Sequence, residues 1–128
     1  MSGNVTRTAI LRFMMESDLP TLRQVEEALS APEWDRRVWA TRQLALFAPE
    51  IALPMLRQAL HDQSDTAVTL AAMETLLTLE RPEAEAMLVD ALINGDEDTA
   101  DHLNTFLLVD GSDAAKSVLR ACNELEDD

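Results

Sequence analysis

Two histidines, a single cysteine and a long series of acids are the side chains here whose types could do chemistry. His102 falls one helical turn after Asp98 and beside Asp101, so an Asp-x-x-x-His pair would turn two metal-ligand types to one helix face. A stable site needs third and fourth ligands, and the spacing offers only surface acids, so no metal is expected. Asp96-Glu97-Asp98-Thr99-Ala100-Asp101 lacks the glycine and distal glutamate of a calcium loop. His61 precedes Asp62 at a helix end, where an imidazolium suits the negative pole of the dipole, and a structural role is expected. Cys122 is expected to be a small buried hydrophobe in a leucine position. The chain holds no Gly-rich phosphate loop, no Gly-x-Ser-x-Gly elbow and no Cys/His zinc spacing. The expectation is no enzyme, no catalytic residue, no metal and no cofactor.

What the residue types do suggest is contact with another macromolecule. Arg36, Arg37 and Arg42, flanked by Trp34 and Trp39, form the one cluster of bases and aromatics, the combination found in binding hot spots. The tryptophans lie five apart and face different ways, so one is expected buried and one partly exposed. The net charge of −14 is unevenly placed. Residues 1–64 carry seven arginines against eight acids, whereas residues 65–128 carry three bases against sixteen acids. A field of that sign repels nucleic acid and anionic membrane and draws in a basic partner. The same acids also keep a small Ala/Leu-rich chain dissolved.

These side chains must be positioned by helices. Of the 128 residues, 47% are hydrophobic, with Leu and Ala dominant, only 4% aromatic and only three glycines. Apolar spacing and start signals give eight helices, about Val5 to Glu16, Pro20 to Leu29, Glu33 to Phe47, Glu50 to His61, Asp65 to Leu79, Glu83 to Ile93, Glu97 to Val109 and Asp113 to Leu125. Ser30-Ala31-Pro32-Glu33 reads as a capping box, and Ser17, Ser64, Asp96 and Ser112 as further N-caps. Pro20, Pro32, Pro49 and Pro82 fit opening turns, while Pro54 lies inside the fourth helix and implies a later start or a kink. No run approaches the roughly 20 apolar residues of a membrane span, and the first thirty residues show no leader pattern. A cytoplasmic protein is the resulting expectation, with residues 1–128 as one domain, residues 1–18 as a capping helix and 124–128 as a frayed acidic tail.

The helices repeat. Ala28-Leu29, Ala59-Leu60 and Ala91-Leu92 each close a first helix before a turn and a second apolar helix, and Ala121-Cys122 stands in the same place in a truncated copy. The intervals of 31, 32 and 30 residues are those of a helical-hairpin solenoid, whose hairpins must stack to cover both apolar stripes. The run Leu53-Pro54-Met55-Leu56-Arg57-Gln58-Ala59-Leu60-His61-Asp62, then Asp65, Val68, Ala71-Ala72 and Leu76-Leu77, resembles a HEAT-type repeat of the short, phycobilisome lyase-like variety. The resemblance implies an all-α, right-handed solenoid of about four hairpins, with second helices on the concave face and first helices on the convex one. The arginine usual just after the second-helix valine is replaced by Trp39, Thr69 and Asp101, a departure that bears on the usual arginine–aspartate ladder between turns. The expected function is a non-enzymatic scaffold or adaptor for another protein, without nucleic acid or membrane as partner. Its contacts are expected at Arg36, Arg37, Trp39 and Arg42, at Thr69, Glu74 and Thr75, and at Asp98, Asp101, Asn104 and Thr105. Two alternatives stand beside it: an acidic inhibitor, immunity-type or nucleic-acid-mimic protein that binds a basic partner, and, by resemblance alone, an auxiliary subunit of a chromophore or cofactor lyase. Oligomeric state is open, and a stripe of Ala114, Ala115, Val118, Leu119 and Cys122 is a candidate for self-association.

Overall fold

The structure is a computed structural model that describes residues 19–126 apart from Gln63. The expected helix Val5 to Glu16, the capping segment 1–18 and Ser17 lie outside the described residues. Within them the chain forms seven α-helices and no strand: α1 (Leu22–Leu29), α2 (Trp34–Gln43), α3 (Pro49–Leu60), α4 (Thr66–Leu79), α5 (Pro82–Asn94), α6 (Glu97–Asp110) and α7 (Asp113–Glu126).

Helix starts follow local hydrogen-bond chemistry, though not always at the residue the sequence suggested. The capping box sits at Thr21, whose hydroxyl accepts from Gln24 N–H at 3.1 Å while Gln24 Oε1 accepts from Thr21 N–H at 2.9 Å. Ser30 cannot build the expected box, because its own N–H closes α1 by donating to Glu27 O at 3.2 Å. Asp65, rather than Ser64, caps α4 by accepting from Ala67 N–H. Asp96 and Ser112 cap α6 and α7 as expected, accepting from Thr99 and Ala115.

The third expected helix does not run unbroken to Phe47. α2 ends at Gln43 and tightens into a 3-10 turn over Leu44–Leu46, because Ala48 must be extended ahead of Pro49. Pro49 and Pro82 open α3 and α5, where a missing N–H costs nothing. Pro54 stays inside α3 on an exposed face. The carbonyl of Glu50, one turn back, is left without a helical donor but within reach of water.

The helices stack as hairpins. α1 packs on α2, α3 on α4 and α5 on α6; α2, α4 and α6 form one layer, and α3, α5 and α7 form the other. One core of buried residues runs through the array from Val25 to Val118, shared between neighbours instead of closed within any hairpin. Ala28, Ala59 and Ala91 are buried near the ends of α1, α3 and α5, as the repeat requires. In the truncated copy the match shifts by one residue. Ala115, Val118 and Cys122 are buried with the spacing of Ala84, Met87 and Ala91, so Cys122 takes the alanine place instead of the leucine place. Three residues of the stripe expected to drive self-association are thereby already covered.

Among the described residues two turns use the left-handed region. Gly111 ends α6 at φ 66°, where glycine is unstrained, whereas Glu80 ends α4 at φ 51° with a side chain attached. Gly95 is needed for closeness, since a β-carbon there would run into the Ala91 carbonyl that its N–H meets at 3.1 Å.

Candidate interaction surface

Burial fixes how the second helices correspond. Ala40, Ala72 and Leu103 are fully buried, as are Leu44, Leu76 and Leu107 one turn on. In this register Val68 matches exposed Arg36 and buried Thr99, and the sequence alignment of Val38, Val68 and Ala100 does not hold. Thr99 tolerates burial because its hydroxyl donates to Asp96 Oδ1 at 2.7 Å, a pairing invisible to a hydropathy pattern.

The same register explains what each second helix shows to solvent. Glu74 of α4 meets Arg42 of α2 at 3.9 Å, which locates the side of α4 that faces the preceding hairpin. Ala71, on that side, is fully buried, and the residue matching it on α2 is Trp39. Trp39 is 43% exposed and Trp34 54% exposed, so neither belongs to the core and the expected burial of one is not met. Arg36 and Arg42 are exposed beside them. Large, rigid aromatic surface left in water beside guanidinium groups is costly to solvate and gains much when covered.

Arg37 does something else. Its Nη1 donates to the carbonyls of Ala31 and Pro32, each at 2.9 Å, and its Nη2 donates to Ser64 Oγ at 2.9 Å. Its Nε lies 3.3 Å from Asp62 Oδ2, near enough to pair as ions though not aligned as a hydrogen bond. With side-chain exposures of 14% for Arg37 and 19% for Asp62, this is a half-buried staple from α2 across to the α3–α4 turn. Asp62 is held in turn by Ser64, whose N–H donates to Oδ1 at 2.8 Å. Among the described residues one arginine–aspartate tie between neighbouring hairpins is therefore present, made from the residue before Val38 instead of the one after it.

Thr69 and Thr75 also leave the contact set. Thr69 is buried with its hydroxyl on Asp62 O at 3.2 Å, and Thr75 is buried with its hydroxyl on Ala71 O at 2.7 Å. Neither hydroxyl is offered to a partner. Asp98, Asp101, Asn104 and Thr105 are all exposed on α6. Asn104 matches Thr41 and Met73, which are fully buried under the following hairpin, so it marks the edge where the second-helix layer turns polar. Leu108 and Val109, which the sequence reading did not single out, are 64% and 82% exposed at the end of the same helix. Their apolar types hid them, because an apolar pair at a helix end reads as core until the register is known.

The candidate chemistry resolves similarly. His102 stacks on Phe106 with ring centroids 6.1 Å apart. Among the described residues no group of three or more His, Cys, Asp or Glu is arranged to hold a metal ion. His61 stands at the C-cap of α3, its backbone N–H donating to Arg57 O at 3.3 Å. Among the described residues, too, no helix is long and apolar enough to cross a membrane.

Two layers of stacked helical hairpins and a core shared along the stack define an α-solenoid. Residues 19–122 match the family model described as HEAT repeats, and the chain belongs to that family. The match does not extend to the phycobilisome lyase-like variety. No curated protein and no solved structure matches the chain.

Proposed function

We propose that this protein is a non-enzymatic scaffold that holds another protein on the face formed by its second helices, with Trp39 anchoring the contact at the α2 edge of that face. The observation that carries this reading is exposed Trp39 on α2, set between Arg36 and Arg42, in a molecule whose core closes without it. Stacked HEAT hairpins offer an extended surface of this kind, and membership of the family supports the general role. Trp39 supplies the apolar anchor, and Arg36 supplies a planar donor fork for a carboxylate or backbone carbonyl. Arg42 is already drawn toward Glu74, so it is oriented along the face before a partner arrives. Asp98 and Asp101, two helices away on α6, give the same face an opposite charge at its far end. A partner that spans the face therefore carries acidic or carbonyl groups toward α2 and basic groups toward α6.

A photo-crosslinking side chain placed at position 39, and separately at the exposed position 57 on first helix α3, tests this in the cell that makes the protein. One defined adduct from position 39, with none from position 57, is expected. Equal labelling from both, or labelling from 57 alone, would refute the assignment of the face.

A further inference from the structure

We propose that the groove along α5, walled by α7 and at one end by the close of α4, is a second docking site apart from Trp39, and that its occupant is a basic amphipathic helix of another protein. Two cavities, of about 420 and 540 Å³, lie end to end along α5 and share Pro82 and Glu85 in their walls. Leu77, Ala114 and Val118 line one, and Val89, Ile93 and Leu125 line the other. Ile93 and Leu125 stand open to water although they border a hollow, so the groove carries apolar surface that the fold itself does not cover.

The rim has one sign. Glu80, Glu85, Asp90 and Asp113 border the two cavities against a single base, Arg81, which is itself drawn to Glu83 at 3.7 Å. Glu85 sits where the cavities meet. Its Oε1 accepts from Ser117 Oγ of α7 at 3.0 Å, and among the described residues it makes no ion pair, so the carboxylate is oriented but not neutralised. An apolar floor between acidic rims fits a helix with leucine-type residues on one face and arginine or lysine along its flanks. Helix α5 has 13 residues and so runs for about 20 Å, enough for three to four turns of ligand. The site lies away from the second-helix face and does not rest on that reading.

The test uses the full-length protein and three synthetic peptides of about 14 residues. One segregates leucine and arginine on opposite helix faces, one has the same composition scrambled, and one carries glutamate in place of arginine. Fluorescence anisotropy is expected to show the first binding at least about tenfold more tightly than the others, and less tightly as salt is raised. Glu85→Gln and Ile93→Asp, both at accessible positions, are each expected to weaken it by about tenfold, while Glu97→Gln on α6 changes it by less than roughly twofold. Circular dichroism melts confirm that each variant is folded. Equal binding of the scrambled peptide would mean bulk attraction to an acidic protein and would overturn the proposal. So would affinity indifferent to Glu85 and Ile93. A dimer of the protein alone that Leu125→Asp dissolves would assign the groove to a second copy and equally end it. Any of these failures leaves the crosslinking result at position 39 as it was.

Discussion

Replacing Arg37 by methionine keeps the aliphatic stem of the side chain and removes its whole set of polar contacts. Three donor contacts disappear, to Ala31 O, Pro32 O and Ser64 Oγ, together with the ion pair to Asp62. Hydrogen bonds from a charged donor are worth about 1.5 to 3 kcal/mol each in full. Pro32 and Ser64 are exposed, so water replaces much of two of them, whereas Ala31 is buried and Asp62 is left half-buried without its partner. A net loss of about 2 to 3 kcal/mol follows. At roughly 3 to 5 °C per kcal/mol for a chain of this size, the melting midpoint falls by roughly 6 to 15 °C. The location of the staple sharpens the expectation. It joins the first described hairpin to the second, and in a stack held by nearest-neighbour contacts its loss lets the first hairpin open before the rest. Urea unfolding followed by circular dichroism should therefore show a broader transition as well as an earlier midpoint. Arg36→Met is the control, since it removes the same charge from an exposed position on the same helix. Asp62→Asn and the double variant complete a cycle whose coupling is expected at about 1 kcal/mol or more. If Arg37→Met costs no more than Arg36→Met, or the cycle gives no coupling, the staple is decorative and the reasoning fails.

Gly95→Ala is expected to destabilise by about 1 to 3 kcal/mol in the same melts, because the added carbon meets the backbone carbonyl of Ala91 and neither can yield cheaply. Glu80→Gly is expected to stabilise by about 0.5 to 1 kcal/mol, relieving a left-handed residue at the end of α4. A loss on that substitution would show that the Glu80 side chain makes up for its strain elsewhere. Trp34 and Trp39 should both fluoresce as solvated indoles and be quenched by acrylamide in the native state, and Trp39→Ala should leave the melting midpoint within roughly 2 °C. A blue-shifted, protected emission would return them to the core.

The stacked-hairpin architecture was legible because its cause is short-ranged and periodic. Ala28, Ala59 and Ala91 recur at helix ends, and an apolar stripe of that period has to be covered by a neighbour of its own kind. Individual side chains were less legible, for two physical reasons. Polar groups that satisfy one another locally, as Thr99 does with Asp96 and Thr69 with the Asp62 carbonyl, can be buried without any apolar signature. Arginine, conversely, reads as surface whatever it does, and nothing in the sequence separates Arg37, spent inside the molecule, from Arg36 beside it and Arg42 further along the same helix. Trp34 and Trp39 misled in the opposite sense, since hydropathy sends tryptophan inward while the register of α2 turns both outward.

That register also makes the two edges of the second-helix layer chemically unlike, which bears on how a partner can sit. Where α4 buries Ala71 against α2, α2 itself presents Trp39; where Thr41 and Met73 are buried under the next hairpin, α6 presents Asn104 with Asp101 and Thr105 nearby. One edge is aromatic and flanked by arginine, the other polar and acidic. A copy of the same chain meeting the α6 edge with its α2 edge would set Trp39 against Asn104 and acids, burying carboxylates beside an indole with no compensating fit. Among the described residues, direct contact between these two edges is disfavoured on these grounds. Exchanging the character of one edge tests this directly: Asp101→Leu with Asn104→Met gives α6 the apolar residues that α4 has at the matching places, Leu70 and Met73. Sedimentation should show the wild type without head-to-tail chains and the double variant forming concentration-dependent assemblies. A double variant that stays as dispersed as the parent would show that something other than the polarity of α6 limits the stack.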